Sequence, residues 1–181
     1  MSWSEFCAKN KMGMRYHGAS FETNTFDKPL LTIAEEYLKN PESLVLHGKA
    51  GRGKTFFSIC LLKALFEKFG WEHVRWIKSK SFEDTLVSSV KEYGNARDCI
   101  EAFSDVQFLI IDDFGTETTN DDVKREWFHL IDDRWSNAKQ TVFTTNLNEQ
   151  EVSKMYGERI FSRFKDFLWV EFKGQDLRGR R

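Results

Sequence analysis

The sequence predicts an α/β domain built on a parallel sheet, and three observations carry that expectation. Segments with apolar residues at helical spacing alternate with short apolar runs, the order produced when crossover helices link parallel strands. One run, Phe108-Leu109-Ile110-Ile111, is apolar throughout, as a strand covered by helices on both faces requires. The chain also has the material for such a core: 181 residues, 40% hydrophobic and 15% aromatic, with 17 Phe. At this length folding removes about 70% of the unfolded chain's surface from water, so no disulfide or metal staple is needed.

In chain order, residues 30–40 read as an amphipathic helix stopped by Asn40-Pro41, because proline disfavours a helical residue before it. Residues 43–46 form a short strand that runs into a glycine-rich turn. Residues 54–69 keep helical spacing and end at Gly70, a C-cap residue. A strand follows at 73–77 and a helix at 81–93, then the apolar strand at 106–111. Asn120, Asp121 and Asp122 cap the next helix, which runs to about residue 137. Residues 141–145 are a fourth strand. Residues 148–166 are helical with a break near Gly157, opened by Asn148 and Glu151 as cap and reciprocal partner. Residues 167–172 alternate as a fifth strand before a basic tail. The expected architecture is five parallel strands flanked by helices, with no large C-terminal lid domain. An N-terminal extension over 1–28 precedes a core domain over 29–181.

Composition excludes several classes. The only prolines are Pro29 and Pro41, against a proline-rich linker or a string of modules. No apolar run nears the roughly 18 residues of a membrane span, and the N-terminus lacks a signal-peptide core. Cys7, Cys60 and Cys99 are too scattered for a disulfide frame or a zinc site. A soluble, cytoplasmic protein with no membrane partner is the expectation. With 27 Lys plus Arg against 28 Asp plus Glu, any basic surface must be local.

Residues Gly48-Lys49-Ala50-Gly51-Arg52-Gly53-Lys54-Thr55 fit G-x-x-x-x-G-K-[ST] in full, between a strand and a helix. Glycines let backbone N–H groups turn inward around phosphate, and the following helix aims its positive end at the same point. Lys54 is expected at the β- and γ-phosphates, and the Thr55 hydroxyl on Mg²⁺; Phe56 completes the set expected to bind ATP. The fold class is thus a P-loop NTPase. Asp112 and Asp113 end the apolar strand on the sheet edge where the loop lies. Asp112 is expected to hold the metal, and Asp113 to orient or deprotonate the attacking water. Asn146 closes the strand Thr141-Val142-Phe143-Thr144-Thr145 and could bond the γ-phosphate or that water; it could equally cap the next helix.

Together these motifs resemble the AAA+ ATPases, specifically the DnaC/DnaI helicase loaders and the transposase helper IstB. The resemblance begins at Arg15-Tyr16 and Ala19-Ser20-Phe21-Glu22 and passes through the two acids, Asp133-Arg134-Trp135 and TVFTTNL. It continues through Gly157-Glu158-Arg159-Ile160-Phe161-Ser162-Arg163 to Val170-Glu171-Phe172 and Arg178. It implies that Arg159 or Arg163, with Arg163 favoured, reaches the γ-phosphate of a neighbouring subunit; local pairing with Glu158 or Asp166 is the alternative. It implies that Arg178 contacts phosphate in its own subunit, a solvated tail being the alternative, and that Tyr16 and Phe21 wall the adenine, core packing being the equal alternative. Loaders usually carry a sizeable helicase-binding region ahead of the core. Here residues 1–14 precede Arg15, with Trp3 and Phe6 on a short helix as candidate partner anchors.

The implied function is ATP-dependent helicase loading in DNA replication, by a homo-oligomer assembled on single-stranded DNA with a replicative helicase as partner. An IstB-like helper would instead serve a transposase. Candidate DNA contacts are Lys78, Lys80 and Phe82, residues 116–120, and the tail Lys173, Arg178, Arg180 and Arg181. A small-molecule P-loop kinase also fits the length, but Asp113 and Asn146 suit water activation better. A module that binds ATP without hydrolysing it is a further alternative.

Overall fold

The computed structural model describes residues 1–23, 26–93, 96–116 and 121–177. Helix α1 (Trp3–Lys9) and a 3-10 turn (Met14–Tyr16) lead to α2 (Lys28–Lys39). Then come β1 (Leu44–His47), α3 (Lys54–Phe69), β2 (Val74–Lys78), α4 (Ser79–Tyr93) and α5 (Arg97–Ser104). The second half comprises β3 (Phe108–Phe114), α6 (Asp121–Ser136), β4 (Gln140–Thr145), α7 (Glu149–Tyr156), α8 (Glu158–Phe164) and β5 (Leu168–Glu171).

The five strands are parallel and ordered β2-β3-β4-β1-β5. Side chains alternate across the sheet as the strand period demands. Leu44, Leu46, Phe108, Ile110, Val142 and Val170 join α1, α2 and α3 in one core; Val45, Leu109, Ile111 and Phe143 join α4 to α8 in the other. This double covering is why residues 108–111 of β3 are apolar throughout, and the expected α/β class with five flanked parallel strands is the observed one. Among the described residues, no helix is long and apolar enough to cross a membrane.

Local chemistry explains the boundaries. The Asp27 carboxylate accepts from Leu30 N at 3.2 Å and starts α2 earlier than the apolar spacing indicates, with Pro29 in its first turn. Asn148 and Glu151 form the expected capping box of α7, and Gly157 separates α7 from α8. Gly70, at φ 95°, ends α3. The short α5 has no counterpart in the sequence reading. The strand predicted to stop at residue 111 continues to Phe114, because that ring is 1% exposed and packed on Trp127, Phe143 and Tyr156.

Arg134 ties this half together. Its buried guanidinium donates to the carbonyls of Phe103, Val106 and Gln140 at 2.6–2.7 Å and to Thr141 Oγ1 at 2.8 Å. Burial pulls its pKa down to about 9.

Two expectations about aromatics are corrected here. Trp3 and Phe6 do lie on a short helix, but Phe6 is 1% exposed, with its ring 5.5 Å from Trp3 and 5.3 Å from Phe66. Trp3 Nε1 donates to the His17 carbonyl at 3.0 Å. Phe6 on the apolar face of α1 is thus packed against α3 and not available as an anchor, whereas Trp3 is only partly buried. Phe82, considered for DNA, is fully buried beside Phe103 and Trp127. Residues 1–28 contribute Phe6, Cys7, Met12, Tyr16 and Ala19 to the same core as α3.

Phe6→Ala should therefore destabilise the fold by about 3–5 kcal/mol, read as a lowered denaturation midpoint. A variant as stable as the wild type would contradict the core role of α1.

Candidate nucleotide site

The loop of residues 48–53 joins β1 to α3 at the edge of the sheet where the chain order reverses, between β1 and its neighbours β4 and β5. Gly48, Gly51 and Gly53 all hold positive φ, at 131°, 80° and 93°. At Gly48 the reason is also steric, since a Cβ would lie 2.6 Å from the Phe172 carbonyl oxygen. The N-cap of α3 is Gly53, which has no side chain with which to cap the helix's first N–H groups, the kind of donors that suit an anion.

Lys54 is 6% exposed. Its Nζ donates to the carbonyls of Gly48 at 2.5 Å and Lys49 at 2.9 Å, and to Asn146 Oδ1 at 2.9 Å. The glycine loop and the end of β4 thus meet on one ammonium group. Thr55 Oγ1 donates to Asp112 Oδ1 at 2.8 Å, joining the loop to β3. Asp112 is 1% exposed, and Thr144 Oγ1 donates to the same oxygen at 2.7 Å. Desolvation raises the Asp112 pKa, and the neighbouring Asp113 charge adds to the rise. Asp113 is exposed and bends away at φ 58°.

A pocket of about 320 Å³ opens beside these groups, lined by residues 50–56 with Asp113 and Asn146. Its other wall holds Tyr16, which also belongs to the core, with its ring 5.0 Å from Phe56 and the Arg15 guanidinium 4.5 Å above it. Phe21 does not line it. That ring packs against Phe26 and Phe57 in the core, and Phe26 takes the wall position. Leu177 also borders the pocket, and its N–H donates to the Gly51 carbonyl at 2.9 Å. Arg15, Phe26, Leu177 and Thr144 are not among the site residues expected from sequence; Arg15 and Thr144 stand in segments that carry the resemblance, but only tertiary packing shows what the four do here.

The two arginines of α8 do not line this pocket. Arg163 bonds Asp132 of α6 through Nε at 2.8 Å and Nη2 at 2.6 Å, rather than Glu158 or Asp166. Arg159 is exposed, its guanidinium 3.8 Å from the Phe128 ring centroid. Arg178, Arg180 and Arg181 lie outside the described residues, as do Asn120 and residues 117–119. Lys80 is paired with Glu83 at 2.7 Å and Lys173 with Glu171 at 3.1 Å, so both candidate DNA contacts carry adjacent acids.

Residues 20–171 match the family of the bacterial DnaA ATPase domain. The chromosomal replication initiator DnaA of Latilactobacillus sakei is 30% identical over 83% of this chain and 33% of its own length. The replicative helicase loader DnaC of Escherichia coli K12 is 27% identical over 81% of this chain and 60% of its own. This chain thus spans less than two thirds of either relative. A solved structure of the replication initiator DnaA bound to AMPPCP and single-stranded DNA superposes with a TM-score of 0.77 at 18% identity, covering 90% of this chain and 51% of that one.

The close approach at Gly48 gives a direct check on the loop. Gly48→Ala should cost about 1–3 kcal/mol of stability, measured by denaturant titration, because backbone rather than a movable side chain blocks the new methyl group. An unchanged midpoint would mean the loop and β5 are not packed this closely.

Proposed function

The chain belongs to the family of the bacterial DnaA ATPase domain, within the AAA+ proteins that include the DnaC and DnaI loaders, and from that premise we propose that it binds and hydrolyses ATP to load a replicative helicase onto single-stranded DNA. One observation carries the hydrolytic part: the buried Asp112 carboxylate meets the Thr55 hydroxyl at 2.8 Å beside the Lys54–Asn146 contact. Residues far apart in sequence thereby supply a phosphate cation and a polar amide on the pocket wall, with a metal-side carboxylate behind Thr55.

The donor set suits Mg²⁺. Magnesium is usually held by one or two protein oxygens and the substrate's phosphates rather than by an all-protein cage. Among the described residues no cluster of three or more His, Cys, Asp or Glu is present, while Thr55 and Asp112 offer one hydroxyl and one carboxylate. Burial disfavours the ionised form of Asp112, a cost that a bound divalent cation offsets. When bound, Mg²⁺ would neutralise charge on the β- and γ-phosphates.

The chain's own residues would do the rest. Lys54 would exchange the carbonyls of Gly48 and Lys49 for phosphate oxygens, a charged acceptor in place of neutral ones. Asn146 would orient the terminal phosphate or the attacking water, and Asp113 would take that water's proton. Tyr16, Phe26 and Phe56 would pack on the base. Arg159, exposed on α8, is better placed than the ion-paired Arg163 to reach nucleotide on a second copy; Arg178 would contact phosphate from the tail.

The likeness to the replicative helicase loader DnaC supports the loader reading, and the nucleotide and single strand held by the DnaA neighbour support both proposed ligands. ATP-dependent co-migration with the replicative helicase on single-stranded DNA tests it. Helicase loading that is indifferent to this chain and to ATP would reject it.

Lys54→Ala should weaken ATP binding at least tenfold, measured with a fluorescent nucleotide. Asp113→Asn should leave that affinity nearly unchanged while lowering turnover about 10²-fold or more. Arg159→Ala should retain ATP binding but lose the turnover gained on assembly with DNA; if its stimulated rate equals the wild type's, the arginine acting between copies is not Arg159.

A further inference from the structure

We propose that Thr144 is a positioning residue that fixes both site carboxylates at once, an inference that rests on the ATP-hydrolysis reading above. The ladder between β3 and β4 pairs Ile111 with Phe143 and Phe114 with Thr145, with a register shift between them. Asp112 and Asp113 therefore stand opposite Thr144 alone, two residues against one, the arrangement of a β-bulge.

The Thr144 hydroxyl replaces the ladder bonds lost there. A hydroxyl has one proton to give and lone pairs to receive, whereas a backbone N–H only donates. Asp113 N donates to Thr144 Oγ1 at 2.9 Å, so the hydroxyl's own proton goes to Asp112 Oδ1 at 2.7 Å. The bond directions are thus forced by the partners. Thr144 is fully buried, and its backbone pairs with Leu46 of β1, the strand that leads into the glycine loop.

Two consequences follow for the acids. At Asp112, the hydroxyls of Thr144 and Thr55 converge on Oδ1. Among the described residues none donates to Oδ2, the oxygen left to a cation or its water. At Asp113, the backbone adopts φ 58°, a conformation costly for any residue with a side chain. It is held from both sides, by Thr144 at its N–H and by Thr116 Oγ1, which donates to its carbonyl at 2.8 Å. That bend places Asp113 on the pocket wall while Asp112 points into the interior. One buried hydroxyl therefore couples the metal-side acid to the water-side acid without touching nucleotide.

Thr144→Val keeps the shape and removes only the hydroxyl; Thr144→Ser keeps the hydroxyl. The full chain is assayed for fluorescent ATP affinity across a Mg²⁺ titration, and for kcat and KM. The expected result for Thr144→Val is unchanged affinity without Mg²⁺, because the Lys54 contacts are untouched. Its half-saturating Mg²⁺ should rise and its kcat fall, each by about 10–100-fold, the usual effect of removing a group that orients a metal ligand. Thr144→Ser should restore both. Thr144→Val behaving as wild type in both readouts would overturn the proposal, as would loss of affinity in equal measure with and without Mg²⁺. Thr144→Ala replaces Val if Val does not fold; failure of both to fold assigns the hydroxyl to folding alone and also overturns it. A wild-type chain that binds no ATP at any Mg²⁺ concentration would reject the hydrolysis reading itself.

Discussion

Burying a carboxylate is costly, and at Asp112 that cost is offset by two hydroxyls reaching it from different elements. Thr55 comes from the first turn of α3 and Thr144 from near the C-terminal end of β4, and both close on Oδ1. This three-cornered contact constrains much else. It requires the glycine loop to end within reach of β3, so β1 must lie close to β3, with only β4 between them. It requires β4 to present Thr144 opposite both acids, which the bulge in β3 provides. The aromatic packing of Phe114 on Trp127, Phe143 and Tyr156 then anchors the far side of the bulge.

A second buried polar centre secures the opposite end of the same strands. Arg134 has carbonyls rather than a carboxylate as hydrogen-bond partners, drawn from the end of α5, the turn before β3 and the start of β4. A guanidinium suits this task because its fork of fixed donors can satisfy several acceptors that diverge where strands begin. Farther along that half, Arg159 lies over Phe128, and Arg163 lies 5.3 Å from both Phe128 and Trp135. The alternation of arginine and aromatic ring across α6 and α8 holds long flexible side chains in set directions.

Much of this was legible in the sequence where chemistry is written in consecutive residues. The loop from Gly48 to Thr55, the acids at 112 and 113, Asn148 with Glu151, and the break at Gly157 all depend on neighbours along the chain. What escaped depends on neighbours in space. Trp3, Phe6, Phe21 and Phe82 read as aromatics available for ligands or partners, but sequence does not say which face of a short element is covered, and all four pack inward. Arg163 offered Glu158 and Asp166 as nearby partners; its actual partner, Asp132, is brought in by the packing of α6 on α8. Thr144 lay within the quoted TVFTTNL stretch but carried no signal of its own role, being one of several threonines in a strand of high β-propensity. Only the register against β3 reveals what faces it. The strand's continuation through Asp112 and Asp113 was hidden for the same reason, since two acids end an apolar run in any pattern-based reading.

The strand order has a consequence for how the molecule is made. Of the five strands β1 is made before the other four, yet its partners are β4 and β5, with Leu44 beside Val142 and Leu168. Throughout synthesis of the intervening chain, Leu44, Val45 and Leu46 have neither edge satisfied, and an apolar strand with two open edges invites pairing with foreign chains. Nascent-chain arrest before residue 140 should therefore yield a species that trigger-type or Hsp70-type chaperones hold, and release from them should coincide with translation of the last two strands. The segment that carries the phosphate loop is the first strand synthesised and among the last to be paired.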